Sequence, residues 1–327
     1  MQYIRLSSKD PYYNLAVEEY LLKNTTEDVF MLWQNDPTVV IGKNQNAYAE
    51  VDLTYAEAHD IRVARRLSGG GAVYHDTGNV NYTIAANDRQ LDPEAFARNA
   101  EIIIAALRRM GVAAEFSGRN DILVAGRKVS GSAKSVFEQR TLFHGTLLFA
   151  ADLEVLSEAL KVDEAKIQSK GIRSVRSRVA NLQEYLPRYT DTGKFMEALT
   201  AELLTLSGAA KVKPLPERLI ASAKVLADTK YRSWEWNYGS NTDYSYTKRG
   251  RFPAGTVEIA FNISGNRIAG MRIFGDFFGL RPAAELALFF NGCPPRKADI
   301  ATLLEAVNIN DFIQNITPQE FLTLFSL

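Results

Sequence analysis

Three consecutive glycines, Gly69 to Gly71, follow two arginines and a serine in the segment ARRLSGGGAVYH, residues 64–75. Backbone without side chains can present successive N–H donors to an anion, and Arg65 or Arg66 would add charge-assisted hydrogen bonds to a phosphate or carboxylate. A plain hairpin turn is the alternative, although such a turn needs only one or two glycines. The segment therefore favours contact with a ligand.

The spacing of these glycines excludes the common nucleotide-binding and hydrolase motifs. The third glycine of a dinucleotide fingerprint would fall on Tyr74, no Gly-Lys pair is followed by serine or threonine, and no serine has glycines at both −2 and +2. His59, His75 and His144 lack the spacing of zinc ligands. Cys293 lies beside two prolines with no histidine near it in sequence, which indicates a structural or incidental residue.

A second candidate group lies in GRNDILVAGRKVSGSA, residues 118–133, where Asp121 and Lys128 flank a Gly126-Arg127 turn. A hairpin here places Lys128 at the start of a strand, opposite the strand that begins near Asp121. An ammonium in that place could neutralise a carboxylate and a phosphate together, and Asp121 could hold Mg²⁺. The alternative is a solvated lysine at a strand end and an aspartate that only forms a turn.

A third group is KGIRSVRSR, residues 170–178, with four positive charges in nine residues. A segment between about residues 161 and 179 has no clear period and is predicted to be a long loop. Such a loop could close over a polyanionic nucleotide and exclude water. A solvated basic loop is equally compatible with the pattern.

Several elements that must position these residues have clear local signals. Asp10-Pro11 predicts the start of an amphipathic helix, and Thr317 to Glu320 form a capping box before the last helix. We predict hairpins over residues 72–85 and 256–274, and an irregular interdomain connection over residues 237–255. The chain is thus expected to have two domains, residues 1–245 and 246–327.

Composition limits the class of protein. Lysine plus arginine and aspartate plus glutamate both number 38 in 327 residues, so no overall positive field favours nucleic acid. No apolar run is long enough for a membrane span, and the N-terminal residues lack the apolar stretch of a signal peptide. With a single cysteine as well, we expect a cytoplasmic protein without nucleic-acid or membrane partners.

Taken together, the motifs resemble those of the lipoate–protein ligase family, over nearly the whole chain. The matching stretches are NLAVEE (14–19), RRLSGGGAVYHD (65–76), GNVNY (78–82), ND (120–121), GRKVSGSA (126–133), HGTL (144–147), KGIRSVRSR (170–178) and IFGDFFG (273–279).

The resemblance implies an α+β fold, with a catalytic domain like those of class II aminoacyl-tRNA synthetases and biotin protein ligases and a small α+β accessory domain. It also implies two steps. ATP and lipoate give lipoyl-AMP and pyrophosphate, and a lysine of an acceptor lipoyl domain then attacks, releasing AMP. The implied acceptors are lipoyl domains of 2-oxoacid dehydrogenase E2 subunits, the glycine cleavage H protein, or both.

The resemblance also implies roles for individual residues. Lys128 would be the catalytic group and would hold both the carboxylate and the α-phosphate, while Asp121 is the tentative Mg²⁺ ligand. The implied contacts to ATP or lipoyl-AMP are Arg66, Ser68, Gly70, Gly71, Ala72, Val73, Tyr74, Asn81, Asp121, Lys128, Ser130, Ala133, Lys170 and Arg178. The implied contacts to lipoate are Arg66, Val73, Lys128 and His144.

Two departures from the family pattern concern acceptor choice and domain motion rather than the proposed chemistry. Phe143 precedes His144 where the family often has a second histidine, and Asn241-Thr242 stand where Ser-Pro is usual. The leading hypothesis is an ATP-dependent lipoate ligase. The alternatives are a lipoyl or octanoyl transferase that needs no ATP, and a non-catalytic binder of lipoate or lipoyl-AMP.

Overall fold

The computed structural model describes residues 1–87, 94–118, 120–161, 179–239 and 244–325. The predicted loop at 170–178, with Lys170 and Arg178, and the pair Asn241-Thr242 lie outside the described residues. The chain forms two compact units. The first comprises Met1–Val40, Val51–Ala64 and Val73–Asn237, and the second comprises Ile41–Glu50, Arg65–Ala72 and Tyr238–Leu327. The predicted domain boundary after residue 245 stays a prediction.

The strands and helices are as follows. The strands are β1 Gln2–Arg5, β2 Val29–Trp33, β3 Thr38–Ile41, β4 Arg62–Arg65, β5 Val73–His75, β6 Asn79–Ala86, β7 Ala114–Ser117, β8 Asp121–Val124, β9 Arg127–Phe137, β10 Arg140–Leu148, β11 Tyr246–Phe252, β12 Gly255–Ser264 and β13 Arg267–Gly275. The helices are α1 Pro11–Asn24, α2 Ala47–Glu50, α3 Leu53–Ala58, α4 Ala95–Arg109, α5 Leu153–Ala159, α6 Thr192–Ser207, α7 Glu217–Leu226, α8 Trp234–Asn237, α9 Ala283–Phe290, α10 Lys297–Glu305 and α11 Pro318–Leu322. A π-turn, Ala227–Tyr231, follows α7, and short 3₁₀ turns are Leu182–Glu184, Ile309–Asp311 and Thr323–Phe325.

The first unit is built around a seven-stranded mixed sheet with the order β1-β2-β6-β10-β9-β8-β7. Side chains alternate between its faces along each strand. In β2, Phe30 and Leu32 pack in one apolar cluster with α4 and α6, whereas Met31 and Trp33 pack in another with α1 and α7. Both faces are therefore covered by helices, and polar groups on the α1 side are shielded from water.

The local helix signals are confirmed. Asp10 accepts a hydrogen bond from the N–H of Tyr12 at the start of α1, and Pro11 occupies the first turn. Thr317 and Glu320 form the reciprocal capping box at α11. The capping residues satisfy backbone N–H groups that a helix start leaves without partners.

The predicted hairpin over residues 72–85 is wrong. β5 pairs with β3 in a separate three-stranded sheet of order β4-β3-β5, whereas β6 pairs with β2 and β10 in the large sheet. Gly78 explains the change of direction, because a Cβ there would lie 1.9 Å from the carbonyl oxygen of Ala150. The turn is fixed by a distant segment rather than by pairing of its own flanks.

The second unit contains the antiparallel sheet β11-β12-β13 and a core shared with α9, α10 and α11. The predicted hairpin over residues 256–274 is confirmed as β12 and β13. The prediction of an irregular connection over residues 237–255 is wrong in part, because β11 pairs along its length with β12. β11 is an exposed edge strand containing Lys248, Arg249 and Arg251, and such charges hide a strand from apolar patterning. The predicted fold class, α+β with a small α+β accessory region, is confirmed.

Candidate active site

Two rows of side chains cross the α1-facing side of the large sheet. Residues that pair directly on neighbouring strands share a face. The first row runs across five strands and consists of Trp33, Asn81, Thr146, Gly131 and Asp121. The second row runs across four strands and consists of Met31, Thr83, His144 and Ala133. Of the predicted site residues, Asp121, Asn81, Ala133 and His144 thus lie on one face, which we call the site face.

Lys128 reaches the site face because β9 is irregular. Ile122 pairs with Ser130 but Leu123 pairs with Lys128, so Val129 is an extra residue in β9. Val129 is fully buried in the α4 side of the core. Without this bulge, Lys128 would share the direction of Ser130 and face the core. The bulge re-aims the lysine onto the face that carries Asp121.

The ammonium of Lys128 lies against Gly131 and Asp121. Lys128 Nζ is 2.7 Å from Asp121 Oδ1, and the two side chains are 38% and 35% exposed. A Cβ on Gly131 would be 2.8 Å from Lys128 Nζ, so the lysine takes this position only because residue 131 has no side chain. The arrangement places a partly exposed cation beside the bare backbone of Gly131, which is suited to an anionic ligand.

The end of the site face that is distant from Lys128 contains a buried hydrogen-bond chain. Trp33 Nε1–H donates to Thr83 Oγ1 at 2.8 Å, and Thr83 donates to Glu18 Oε1 at 2.5 Å. His144 Nδ1 is 3.0 Å from both carboxylate oxygens of Glu18. Because a carboxylate accepts, the Nδ1–H of His144 is the donor in these contacts. Sequence reasoning noticed Glu18 only as part of a motif, and its burial at 2% exposure is a tertiary property.

The opposite face explains the His144-Gly145 motif. A Cβ on Gly145 would lie 2.4 Å from the hydroxyl oxygen of Tyr82, so only glycine fits beneath that ring. Burial raises the pKa of Tyr82 to about 12. Ser130 pairs with Ile122, the residue after Asp121, and successive side chains of a strand point to opposite faces. The predicted contact Ser130 therefore has its side chain on this opposite face, away from Lys128.

Two further predicted residues lie on β5. Val73 is partly exposed, whereas Tyr74 is buried, and burial raises the pKa of its phenol. They pair with Val40 and Val39 of β3. Their predicted contact with the nucleotide stays a prediction.

The residues that follow the predicted basic loop contact the backbone of Lys128. Val179, which follows Arg178 in the sequence, forms a parallel bridge with Lys128. Ala180 N–H then donates to the carbonyl oxygen of Lys128 at 2.9 Å. The described chain thus resumes beside the candidate catalytic residue.

The glycine loop, residues 66–72, belongs to the second unit. Arg66 donates to Ser68 Oγ at 3.0 Å and to the carbonyl oxygens of Gly69 and Gly71 at 2.7 and 2.8 Å. Arg66 is 6% exposed. Within this structure the guanidinium therefore stabilises the loop itself, a role that the sequence did not indicate.

Arg65 contacts a different stretch of backbone. Its Nη1 donates to the carbonyl oxygens of Gly42, Lys43 and Gln45, and burial lowers the pKa of its guanidinium to about 10. It remains charged at neutral pH and fixes the neighbouring segment 42–45. The two consecutive arginines thus organise two different stretches of backbone.

A turn near the end of β13 supports the glycine loop. Gly70 N–H points to the carbonyl oxygen of Phe277 at 3.4 Å, and a Cβ on Gly69 would be 2.3 Å from that oxygen. The Phe278 ring lies over Gly70, whose φ is +90°. By contrast, a Cβ on Gly71 would have no atom within 4 Å. Packing requires glycine at position 69, backbone conformation favours it at 70, and neither explains it at 71.

Neither a metal cluster nor a membrane helix is found in the described part of the chain. No group of three or more His, Cys, Asp or Glu residues gathers there in a way that could hold a metal ion. None of the helices in the described ranges is long and apolar enough to cross a membrane.

Two family models match the chain in order. Residues 10–204 match the lipoyl protein ligase A/B catalytic domain, and residues 241–325 match the bacterial lipoate protein ligase C-terminus. The chain is 40% identical over 321 residues to lipoate–protein ligase 1 of Staphylococcus aureus, covering 97% of each chain. It is 38% identical over 319 residues to lipoate–protein ligase LplJ of Bacillus subtilis, covering 96% of each.

Solved structures agree. A bipartite lipoate protein ligase of Thermoplasma acidophilum, analysed together with its E2 lipoyl domain, superposes with a TM-score of 0.66 at 28% identity, over 75% of this chain and 98% of that one. A lipoate–protein ligase A bound with ATP superposes with a TM-score of 0.64 at 27% identity, over 73% of this chain and 98% of that one.

The fold and these matches define an α+β ligase with an appended C-terminal region. The chain belongs to the lipoate–protein ligase family, which confirms the family predicted from its motifs.

Proposed function

We propose that this protein is an ATP-dependent ligase that activates free lipoate to lipoyl-AMP and transfers the lipoyl group to a lysine of an acceptor lipoyl domain. The observation that carries the proposal is the position of Lys128, re-aimed by the bulge at Val129 onto the site face beside Asp121. Family membership and the ATP-bound relative support the same chemistry.

In the first step the lipoate carboxylate attacks the α-phosphorus of ATP and pyrophosphate leaves. Two anions must approach each other, so a cation between them lowers the barrier. We assign this role to Lys128, and the proposal is supported by its partly exposed ammonium, whose present partner is a carboxylate. An incoming carboxylate can therefore replace Asp121 as its partner without leaving a buried charge alone.

In the second step the acceptor lysine, as a neutral amine, attacks the acyl carbon of lipoyl-AMP. The amide forms, the bond to AMP breaks, and the amine loses a proton. No covalent enzyme intermediate is needed, and the one cysteine, Cys293, belongs to the second unit. Burial raises the pKa of its thiol, which disfavours the nucleophilic thiolate.

For the second unit we propose a part in binding the nucleotide. Gly71 is open on the side where a Cβ would lie, so its backbone is accessible to close approach. Arg66 would give up its hydrogen bonds to the loop carbonyls and donate to phosphate oxygens instead. Ser68, Gly70 and Ala72 are proposed as the other contacts between this loop and the nucleotide. We also propose that residues 1–245 form the catalytic domain and residues 246–327 form the accessory domain.

Mg²⁺ is proposed as the accompanying metal, with Asp121 as its protein ligand. The half-exposed Asp121 carboxylate fits a cation of this type, which usually binds one or two carboxylates together with substrate phosphates and water. When bound, the ion would neutralise phosphate charge. Asp121→Asn should raise the Mg²⁺ concentration needed for half-maximal exchange, whereas an unchanged requirement would remove Asp121 from this role.

The acceptor is proposed to be a lipoyl domain of a 2-oxoacid dehydrogenase E2 subunit or the glycine cleavage H protein. The archaeal relative analysed with its E2 lipoyl domain supports the first. We also propose a cytoplasmic location, since a single cysteine cannot form an internal disulfide, which agrees with a reducing compartment; cell fractionation would test it.

The deciding experiment measures lipoate-dependent ATP–pyrophosphate exchange without an acceptor, and then acyl transfer after an acceptor domain is added. We expect both activities. Acyl transfer from a ready-made donor without exchange would support the ATP-independent transferase instead. Binding of lipoate or lipoyl-AMP without turnover would leave only a binder.

A further inference from the structure

Two neighbouring asparagines of β6 each have one buried side-chain atom that is not hydrogen-bonded. Asn79 and Asn81 are 0% and 1% exposed. Asn79 Nδ2 donates to Asn81 Oδ1 at 2.9 Å, whereas Asn79 Oδ1 and Asn81 Nδ2 meet no hydrogen-bond partner among the described residues. A buried polar atom without a partner is costly, so these two atoms mark a place where a polar ligand is expected.

Both asparagine side chains lie on the site face. Val80 and Tyr82, the alternate residues of β6, pack in the core with α4, so Asn79 and Asn81 point the other way. Trp33, which pairs with Asn81, packs on the α1 side and confirms the direction. The two unsatisfied atoms therefore belong to the same face as the candidate catalytic lysine.

The two amides present one acceptor and one donor side by side. Asn79 Oδ1 accepts and Asn81 Nδ2 donates, because the hydrogen bond between the residues uses the other half of each amide. Turning both amides over would exchange these roles and still leave one acceptor and one donor. The pair therefore fits a planar ligand edge in which a donor lies beside an acceptor.

Adenine has such an edge. Its amino group donates and the ring nitrogen beside it accepts, and asparagine is a common partner of this edge in protein–nucleic acid recognition. The phosphates of ATP and the carboxylate of lipoate carry acceptors alone, and the acyl chain carries no donor. The base is thus the part of the two substrates that matches the pair best, and a ribose hydroxyl is the alternative that the experiment must separate.

The distance from Lys128 also suits a nucleotide. Asn81 on β6 lies two strand spacings, or about 10 Å, from Gly131 on β9, against which the Lys128 ammonium lies. In AMP the phosphorus and the amino nitrogen are about 10 Å apart at ordinary bond lengths. Leu148, which pairs with Asn79, adds an apolar side chain beside the two amides. A phosphate held at Lys128 would thus bring the base to the asparagine pair.

We propose that Asn79 and Asn81 recognise the adenine base of the nucleotide, with Asn79 Oδ1 accepting from the amino group and Asn81 Nδ2 donating to the adjacent ring nitrogen. This inference rests on the proposed function, which places a nucleotide phosphate at Lys128. A site that pairs with an N–H of its substrate discriminates against an analogue that lacks it. The pair therefore favours ATP over a purine nucleotide without the amino group.

The test compares ATP with purine riboside 5′-triphosphate, which lacks the amino group, as substrates for lipoate-dependent pyrophosphate exchange. We expect the wild type to favour ATP about 10-fold in kcat/KM, and Asn79→Ala to lower this ratio to about 1. The loss should come from the KM for ATP, with kcat unchanged. The ratio does not depend on the fraction of folded enzyme, so a destabilised variant still gives an answer.

A second substitution separates the two atoms. Asn81→Ala removes the donor to the ring nitrogen, which both nucleotides carry, so the KM should rise about 5- to 10-fold for both and the ratio should stay. Asn99→Ala is the matched control, since Asn99 is also buried but lies on α4, where its Nδ2 donates to the carbonyl oxygen of Ala95. It should leave the ratio and both KM values unchanged.

Calorimetric titration of the same two nucleotides without lipoate gives a readout independent of turnover. The Kd ratio should show the same preference in the wild type and lose it in Asn79→Ala. If the wild type bound with this pattern but showed no exchange, the proposed function would fail and base recognition would stand.

Three results would overturn the inference. They are equal use of both nucleotides by the wild type, a preference that survives in Asn79→Ala, and unchanged KM values in Asn81→Ala. A ribose contact would instead appear as a change in the ratio of ATP over 2′-deoxy-ATP in Asn79→Ala, which should stay constant if the base is the group that is bound.

Discussion

The site face of the first unit and the glycine loop of the second unit both hold polar groups away from water, but they do so with different parts of the chain. The site face uses side chains, joined in hydrogen-bond chains such as Trp33–Thr83–Glu18. The glycine loop uses backbone, with carbonyls bound by Arg66 and with Gly69 pressed against Phe277. Hydrogen bonds between side chains are sensitive to a change of charge or protonation, whereas a tightly packed backbone loop is sensitive to added side-chain volume.

The largest effect is expected at the cation of the site face. Lys128→Ala should lower lipoate-dependent ATP–pyrophosphate exchange by about 10²- to 10³-fold, because a donor aimed at developing charge is removed. The melting temperature should change little, since the pair with Asp121 is partly exposed and such pairs contribute about 0–1 kcal/mol.

A control is Lys194→Ala, which removes an exposed lysine that is also paired with an aspartate, Asp191. It should leave exchange unchanged. Normal exchange in the Lys128 variant would contradict its assigned role and leave the site face without a catalytic cation.

Volume added to the glycine loop should separate packing from ligand contact. Gly69→Ala places a Cβ 2.3 Å from the Phe277 carbonyl oxygen and should destabilise the protein by about 1–3 kcal/mol. Gly71→Ala meets no atom within 4 Å and should leave stability unchanged while raising the KM for ATP. Urea unfolding and exchange kinetics measure the two effects. Equal losses of stability in the two variants would show that packing restricts positions 69 and 71 alike, which would contradict this prediction.

Charge in the first unit should make stability depend on pH. Burial raises the pKa of Glu19, but hydrogen bonds from Lys23, Lys230 and Tyr231 outweigh it and hold the pKa below its usual value of 4.5. The ionised carboxylate therefore stabilises the fold above about pH 4.5, and this contribution is lost as pH falls through the folded-state pKa. Glu19→Gln should cost about 1 kcal/mol near neutral pH and nothing in strong acid. If urea titrations gave the same loss of unfolding free energy at every pH, Glu19 would act through packing instead of charge.

The smallest effect is expected at Glu258 in the second unit, where the carboxyl pKa shifts in the opposite direction. Burial raises the pKa of Glu258, and Arg249 only partly offsets this. A raised carboxyl pKa favours the protonated folded form, so stability is lost as pH rises through that pKa. Glu258→Gln should match the wild type in acid and be slightly more stable near neutral pH, by less than about 1 kcal/mol. A destabilised variant at neutral pH would show that attraction to Arg249 outweighs burial.

Local signals in the sequence were sufficient for two helix starts, for one hairpin in each unit and for the family. Asp10-Pro11 and Thr317 to Glu320 start helices because capping acts within one turn. The hairpin that pairs the strand of Asp121 with the strand of Lys128 follows from a short turn between two strand patterns, and the structure contains it as β8 and β9. The predicted contacts at Lys170 and Arg178 lie outside the described residues, and the remaining predicted ligand contacts stay predictions.

Tertiary structure decided what those residues face. The bulge at Val129 turns Lys128 to the site face, and no pattern in the sequence marks it, because it depends on how Val129 packs in the core. The same holds for β5 and β6, which join different sheets, and for Arg66, which binds the carbonyls of its own loop. Capping and turn chemistry act over a few neighbouring residues, whereas register, strand partner and burial are set by contacts between distant segments. The sequence alone determined the family and supplied the candidate residues, whereas only the fold decided which way their side chains face and which groups they contact.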